Sequence, residues 1–358
     1  MHNSTETKIR NRIQRAIQEK VFPGCVVGVV NTLGATQLIA EGATTYNADA
    51  KQVHANSIFD VASVTKSIPT ACLALKLIES GRLSVTDKVC DYLPDLQNPH
   101  REQILIWHLF TFTILLDLES PLSSHKHDAP EDILKLIYTT KLRHDPGAHY
   151  AYSNTPSILL GLVVEKIYSR SLPELAAELF FQPLGMVDTS FKPQDLQRVV
   201  PTEIDEERGG LLHGTVHDES AHALQKQFYP GNAGLFTTVP DLLRFLRMLL
   251  NYGSLEGHQY FKPETVKLMH TNQIAKLGQS TGLGWELNQP RYMGQYATPH
   301  TFGKTGFTGC LVVCDIQKEL AFAMLSNFVH PKRKPDASLI NEVRRDIADI
   351  IFSEPNIV

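Results

Sequence analysis

Three short segments, far apart in the sequence, carry the side chains of one candidate serine-nucleophile site. They are Ser-Val-Thr-Lys at 63–66, Tyr-Ser-Asn at 152–154 and Lys-Thr-Gly at 304–306. A serine hydroxyl is a weak nucleophile at neutral pH and needs a nearby base. Because a helix places residues three apart on one face, Ser-x-x-Lys brings an amine to the hydroxyl. The pattern predicts acyl transfer, with Ser63 as nucleophile and Lys66 as base or proton relay.

The remaining groups can assist such a nucleophile. Ser63 precedes a helical pattern, and the free N–H groups at a helix N-terminus favour an attacking alkoxide. Lys66 accepts a proton if its pKa is depressed by burial or by a second cation, for which Lys304 is the candidate. Tyr152 can act as general base or acid if both lysines stabilise its phenolate, because nearby positive charge lowers a pKa of about 10. Asn154 is expected to position Lys66 or to bind a substrate amide.

The third segment is also expected to bind the substrate. The side chains of Lys304 and Thr305 can recognise a carboxylate or carbonyl group, and Gly306 lets a substrate approach the strand closely. The backbone N–H groups of Ser63 and Phe307 are the candidate oxyanion hole. Each motif alone also occurs by chance in surface helices, loops and turns. Their joint occurrence, in this order, favours the catalytic interpretation.

Strand patterns lie at both ends of the chain, and helical patterns lie between them. A β-hairpin is predicted at 25–31 and 36–43, and two further strands at 309–316 and 320–327. Terminal helices are predicted from Ile9, Ile13 and Ile17 and from residues 336–351. The patterns in between predict helices at 66–80, 131–138, 156–168, 172–180 and 240–251.

Strands from both chain ends must meet in one sheet if they share a core. We therefore predict one domain that contains this sheet, formed by residues 1–62 and 265–358. Residues 63–264 are predicted to form a mostly helical inserted domain, and the site is expected at the junction of the two.

The motifs resemble the serine β-lactamase and penicillin-binding-protein superfamily over nearly the whole chain. The class C branch is the most similar, because the middle motif is Tyr-Ser-Asn. The sequences at 58–63, 146–147 and 183–186 extend the resemblance, and those at 213–219 and 231–236 resemble esterase-like and peptidase-like members. The resemblance implies an α+β fold, in which an antiparallel sheet is flanked by helices and carries an inserted, mostly helical domain.

The same resemblance implies roles for individual residues. Ser63 would form an acyl-enzyme, Lys66 and Tyr152 would share proton transfer, and water would then release the acyl group. Asn154 and Lys304 would take the positioning and electrostatic roles of the matching family residues.

One segment departs from these relatives. Where they usually carry Leu-Leu-Thr-His-Thr-Ser-Gly-Leu, this chain has Leu-Phe-Thr-Phe-Thr-Ile-Leu-Leu at 109–116. In the family this loop lies near the active-site entrance, so the replacements suggest a more apolar or more closed cleft. We expect a serine hydrolase of small esters or amides, with a β-lactamase or a D-alanyl-D-alanine carboxypeptidase as alternatives. A catalytically inactive scaffold or binding protein is the alternative of another class, and labelling by a fluorophosphonate would distinguish it.

Composition argues against several classes of partner. The chain of 358 residues has a net charge of −4 with scattered Lys and Arg, so we expect neither nucleic acid nor membrane as a partner. It has no run of about 20 apolar residues. Residues 1–20 lack the apolar run of a secretory signal, and the five cysteines show no Cys-x-x-Cys pattern. We expect a cytoplasmic protein, or a periplasmic one if a signal was removed.

The histidines suggest a metal site only weakly. His213 and His217 are four residues apart, but residues 214–216 are poor helix formers and no Cys or acidic pair completes a ligand set. We expect a loop lining the cleft, with no metal and no cofactor. The expected partner is a small-molecule acyl substrate, and the sequence does not indicate an oligomeric state.

Overall fold

The strands near the two chain ends form one antiparallel sheet. A computed structural model describes the backbone of residues 2–354 and the side chains of residues 5–354. Its strands are β1 (Gly24–Asn31), β2 (Thr36–Gly42), β3 (Phe59–Asp60), β4 (Ile204–Asp205), β5 (Gly210–Leu211), β6 (Phe236–Thr237), β7 (Ser254–Leu255), β8 (His258–Gln259), β9 (Glu286–Leu287), β10 (Thr301–Thr305), β11 (Leu311–Asp315) and β12 (Leu320–Ser326).

Helices flank the sheet and fill most of the sequence between its strands. They are α1 (His2–Gln18), α2 (Cys72–Glu79), α3 (Val89–Tyr92), α4 (Ile106–Thr111), α5 (Pro130–Thr139), α6 (Thr155–Tyr168), α7 (Leu172–Ala176), α8 (Glu219–Leu224), α9 (Val239–Leu250), α10 (Pro263–Met269), α11 (Pro290–Met293) and α12 (Ser338–Ser353).

The main sheet has the order β2-β1-β12-β11-β10-β9, and all its neighbours are antiparallel. The predicted hairpin is confirmed as β1 and β2, and the second predicted pair as β11 and β12. Because β1 pairs directly with β12, the two chain ends meet in the middle of the sheet.

Both faces of the sheet are buried, which explains why β1 is apolar along its length. Side chains alternate across a strand, so Val27 and Val29 face one way and Val26 and Val30 the other. Val27 and Val29 pack in a core formed with α1 and α12. Val26 and Val30 belong to a larger core that contains α9 and most of the helical region. The predicted helices at both chain ends are confirmed as α1 and α12.

The helix predicted at 66–80 differs from the structure. The chain forms a 3₁₀ turn at Ala62–Lys66, a π-helical turn at Ser67–Ala71, and an α-helix only from Cys72. Pro69 explains the interruption, because proline lacks an N–H donor and disfavours a helical residue before it. Ile68 accordingly has φ −116° and ψ 110°, outside the helical region.

Candidate active site

The segment that carries Ser63 is held by hydrogen bonds on its N-terminal side. The Asp60 carboxylate, which is buried, accepts from the backbone N–H of Ala62 at 2.8 Å and from that of His217 at 2.7 Å. Ala62 has φ +45°, in the left-handed region that non-glycine residues rarely adopt. The strained turn and its two hydrogen bonds set the position of Ser63.

Lys66 lies against the Ser63 hydroxyl. Its side chain is 1% exposed, and its Nζ donates to Ser63 Oγ at 2.9 Å and to the Asn232 carbonyl oxygen at 2.9 Å. Burial lowers the pKa of the Lys66 ammonium, Lys304 acts in the same direction, and Tyr152 and Asp218 oppose them. A lysine with a lowered pKa gives up its proton more readily, so Lys66 suits a role as base.

Two ammonium groups flank the ring of Tyr152. Lys304 Nζ lies 4.4 Å and Lys66 Nζ 5.4 Å from the ring centroid, and the side chain is 44% exposed. Loss of water around the phenol acts to raise the pKa of Tyr152, but the positive charges of Lys304 and Lys66 outweigh it and lower that pKa. Tyr152 is therefore electrostatically suited to exchange a proton.

Lys304 has a carboxylate partner that the motifs do not contain. Its Nζ donates to Glu286 Oε1 at 2.7 Å, and both side chains are buried. Burial acts to lower the pKa of Lys304, but Glu286 and Tyr152 outweigh it and raise that pKa well above its ordinary value. Lys304 is thus a fixed positive charge beside Tyr152.

Asn154 contacts Asp218 rather than Lys66, and its other expected role, binding a substrate amide, stays a prediction. Its Nδ2 donates to Asp218 Oδ2 at 3.0 Å and to Ser220 Oγ at 3.2 Å, whereas the hydrogen bonds of Lys66 go to Ser63 and Asn232. Burial acts to raise the pKa of the Asp218 carboxyl, but the Lys66 charge and the hydrogen-bond donors outweigh it and lower that pKa. Asp218 is therefore an anion electrostatically coupled to Lys66.

The end of β10 lies against the segment that carries Ser63. A Cβ atom at Gly306 would overlap the carbonyl oxygen of Val61, so only glycine allows this approach. The buried Arg344 donates from Nη2 to the carbonyl oxygens of Gly306 and Cys310, both at 2.8 Å, and so supports the turn that contains Phe307. The oxyanion-hole role of the Phe307 N–H stays a prediction, as do the substrate-binding roles of Thr305 and Gly306.

The segment at 109–116 supplies an aromatic ring to the site. Helix α4 ends at Phe112, which has φ +54° and a buried side chain. The centroids of the Phe112 and Tyr152 rings are 5.2 Å apart, and Lys304 Nζ lies 4.9 Å from the centroid of the Phe112 ring. The segment that departs from the family pattern therefore contacts both of these candidate residues.

A cleft of about 550 Å³ opens beside Tyr152 and Asn154, and its lining combines four leucines and a proline with polar residues that include Glu119 and Arg143. Its apolar lining includes Leu115, Leu116, Leu118 and Leu122. Leu115 and Leu116 belong to the altered segment. Leu115 replaces the family glycine and so adds an apolar group to the cleft, whereas Leu116 matches the family leucine.

A sequence profile of the beta-lactamase family matches residues 9–345. The chain belongs to the beta-lactamase family. It is 30% identical over 322 residues to a putative D-alanyl-D-alanine carboxypeptidase of Escherichia coli strain K12, over 78% of this chain and 72% of that protein. The predicted membership of the serine β-lactamase and penicillin-binding-protein superfamily is confirmed, and the protein is a serine hydrolase of this family.

Solved structures with low sequence identity share the fold. EstCE1, described as a hydrolase with promiscuous acyltransferase activity, has a TM-score of 0.77 and 21% identity, over 98% of this chain and 99% of its own. The LovD6 mutant of simvastatin synthase from Aspergillus terreus has a TM-score of 0.77 and 20% identity, over 98% of this chain and 97% of its own. The predicted α+β, β-lactamase-like fold is confirmed.

The loop at 213–219 is held by ion pairs. His217 Nε2 lies 2.9 Å from Glu203 Oε2, and Arg333 forms ion pairs of 2.6 Å with both Glu203 and Glu219. The His217 ring also stacks on the Phe307 ring at 5.6 Å, so this loop borders the candidate oxyanion hole. Among the described residues, no three His, Cys, Asp or Glu side chains are placed to hold a metal ion. No helix within residues 2–354 has the length and apolar composition needed to cross a membrane.

Four contacting residues were missed from the sequence. Asp218 lies in a segment that the sequence indicates through its family resemblance and as a loop lining the cleft, and Phe112 lies in the segment that departs from the family pattern. Asn232 lies in the segment 231–236, whose family resemblance gives it no role of its own. Glu286 has no signal in the sequence, because a single Glu has no pattern and it meets Lys304 through a tertiary contact.

Proposed function

We propose that the protein is an esterase-like serine hydrolase that forms an acyl-enzyme on Ser63 with small ester substrates. The observation that carries this proposal is the 2.9 Å hydrogen bond from Lys66 Nζ to Ser63 Oγ, next to a tyrosine flanked by two ammonium groups. Nucleophile, base and electrostatic support thus occupy one site, as acyl transfer requires.

In the first half of the reaction, Ser63 Oγ attacks the ester carbonyl carbon. The hydroxyl proton passes to neutral Lys66 or to ionised Tyr152, and the backbone N–H groups of Ser63 and Phe307 stabilise the oxyanion. Collapse of the tetrahedral intermediate breaks the bond to the leaving oxygen. The Tyr152 hydroxyl then donates a proton to that oxygen, and Ser63 keeps the acyl group.

In the second half, water replaces the alcohol. Tyr152 or Lys66 takes a proton from the attacking water, and the same N–H groups bind the second oxyanion. Collapse returns the proton to Ser63 Oγ and releases the acid. Asn154 holds Asp218 behind Lys66, and Thr305 at the end of β10, with Gly306 after it, would border the substrate.

The apolar part of the cleft lining supports a substrate with an apolar acyl group. Its leucines can bind an apolar acyl chain, whose burial is worth about 0.8 kcal/mol per CH₂ group. A D-alanyl-D-alanine carboxypeptidase remains the second candidate, because the E. coli relative at 30% identity carries that putative name.

The test follows Ser63 by intact-protein mass spectrometry during parallel incubation with p-nitrophenyl butyrate, a fluorophosphonate and a penicillin. We expect phosphonylation of Ser63, steady nitrophenol release and no lasting penicilloyl adduct. Ser63→Ala should lose labelling and turnover, while Ser80→Ala, an exposed serine at the end of α2, should keep both.

Each other outcome favours a different activity. A lasting penicilloyl adduct would favour a penicillin-binding peptidase, and penicillin hydrolysis without an adduct would favour a β-lactamase. Absence of any reaction would favour an inactive scaffold and refute the proposal.

We further propose a cytoplasmic location. The five cysteines are all buried and unpaired, which suits a reducing compartment. Fractionation of the source cells, with recovery of the protein outside the cytoplasm, would contradict this.

A further inference from the structure

Lys304 is closed off from the cleft. Its side chain is 0% exposed, Glu286 Oε1 lies 2.7 Å from Nζ, and the rings of Tyr152 and Phe112 lie 4.4 Å and 4.9 Å from it. A lysine that recognises a substrate carboxylate needs a donor N–H directed at free space. Here the ammonium is enclosed by one carboxylate and two aromatic faces.

Glu286 is itself held in place. Its second oxygen accepts from the Tyr292 hydroxyl at 2.7 Å, and Arg291 lies 3.6 Å from the same oxygen. Removal of one partner from such a buried ion pair typically costs about 3–5 kcal/mol, because the other charge is left unpaired. A substrate carboxylate that competed for Lys304 would have to separate Glu286 from this ammonium and leave it with Tyr292 and Arg291 alone.

Four charged groups near the nucleophile form two opposite pairs. The two ammonium groups, Lys66 and Lys304, are matched by the carboxylates of Asp218 and Glu286, both of which have a lowered pKa. With Tyr152 protonated the four charges cancel, and with Tyr152 ionised the sum is negative. These four groups therefore carry no surplus positive charge, and Arg291, 3.6 Å from Glu286 Oε2, is a further cation beside them.

Two arginines near the cleft are also already paired. Arg333, close to the Phe307 ring, binds Glu203 and Glu219, and Arg143 lies 3.3 Å from Asp117. Neither supplies an unpaired cation for a substrate carboxylate.

We propose that Glu286, with Phe112 as a cover, withdraws Lys304 from substrate recognition and reserves it for Tyr152, so that the enzyme selects esters with an uncharged leaving group. The inference rests on the proposed esterase function and names its substrate class. Glu286 is a positioning residue that also determines specificity, since it acts through Lys304 and contacts no reacting atom.

The test uses two esters that differ in one charge on the leaving group. They are the phenylacetyl esters of 3-hydroxybenzoic acid and of methyl 3-hydroxybenzoate, and kcat and KM are measured for each. The wild-type protein should prefer the uncharged ester by about tenfold or more in kcat/KM, since an uncompensated substrate charge opposes binding. E286Q should reduce this preference about tenfold, chiefly through a lower KM for the anionic ester.

Matched variants separate specificity from stability. E264Q changes an exposed glutamate of α10 and should keep the wild-type ratio of kcat/KM values. E286D, unlike E286Q, keeps a negative charge at this position and should retain most of the wild-type preference. If E286Q does not fold, as judged by circular dichroism, F112A serves instead. It uncovers the ammonium without removing the ion pair and should also reduce the preference.

The inference would be overturned if the wild type hydrolysed both esters with equal kcat/KM, or if the ratio of the two kcat/KM values were unchanged in both E286Q and F112A. Either result would leave the proposed esterase function in place. If neither ester is hydrolysed and the fluorophosphonate does not label Ser63, the proposed function fails and the inference fails with it.

Discussion

Asn154 donates its side-chain amide to Asp218 at 3.0 Å and so positions an anion rather than the lysine itself. Asp218 also accepts from Asn232 Nδ2 at 3.2 Å, and the Asn232 carbonyl oxygen accepts from Lys66 Nζ at 2.9 Å. The middle motif therefore reaches Lys66 through Asp218 and Asn232, and its effect on the nucleophile is indirect.

The substitution Asp218→Asn tests this connection. It removes the charge that favours the Lys66 ammonium, and it keeps an oxygen that can cap α8 at the Ala221 N–H, as Asp218 does at 2.8 Å. The pKa of Lys66 should fall further, so the part of the pH–rate profile that depends on Lys66 should move to lower pH. Steady-state kcat/KM from pH 5 to about pH 10 measures the shift. Asp336→Asn, at an exposed aspartate, is the control, and an unmoved profile in Asp218→Asn would exclude the coupling.

The lowered pKa of Tyr152 predicts the pH dependence of the wild type. If ionised Tyr152 accepts the proton, kcat/KM should rise with pH through a pKa below about 10 and then level off. Tyr152→Phe should remove this limb and reduce the rate of acylation by about 10²–10⁴-fold. Single-turnover release of nitrophenol measures the rate of acylation. A wild-type kcat/KM that does not change from about pH 5 to pH 9 would count against Tyr152 as the proton acceptor.

The Lys304–Glu286 pair predicts non-additive stability effects. Lys304→Met should leave the Glu286 carboxylate buried without its ammonium and lower the free energy of unfolding by about 3–5 kcal/mol. The double variant Lys304→Met/Glu286→Gln should recover most of this loss, because no charge remains unpaired. Urea unfolding of the wild type, both single variants and the double variant gives the coupling free energy. A value near zero would show that the two side chains contribute independently.

The same pair predicts an acid-sensitive contribution to stability. Burial acts to raise the pKa of Glu286, but Lys304 and Tyr292 outweigh it, and the folded-state pKa lies below the unfolded value of about 4.3. The stabilisation is therefore complete above the unfolded pKa and is lost as the pH falls through the folded one. The double variant lacks this titration, so its stability should fall less steeply in acid than that of the wild type. Thermal unfolding from about pH 6 to about pH 3 makes the comparison, and parallel curves would contradict it.

Four strands of the main sheet, β1, β2, β11 and β12, and the approximate extent of the longer helices could be predicted from local patterns, whereas the short helices α3, α4, α8, α10 and α11 were not predicted. The β1–β2 hairpin follows from two apolar runs around a glycine turn, and α1 follows from isoleucines at helical spacing. The helix predicted at 66–80 is the exception. Its apolar residues have helical spacing throughout, but Pro69 interrupts the α-helix, which begins only after it. Periodicity does not show how a chain continues past a proline.

The sequence by itself determined which chemistry is available, because Ser-x-x-Lys needs only a helical turn to bring Lys66 to Ser63, and the three motifs together predicted the family. Only the tertiary structure decided how the charges are compensated. Glu286 meets Lys304 because β9 pairs with β10, and Asp218 meets Asn154 across 64 residues of sequence. Such contacts depend on sheet order and loop packing, which no spacing along the chain encodes. They decide whether Lys304 is a receptor for a substrate anion or a buried charge that serves Tyr152.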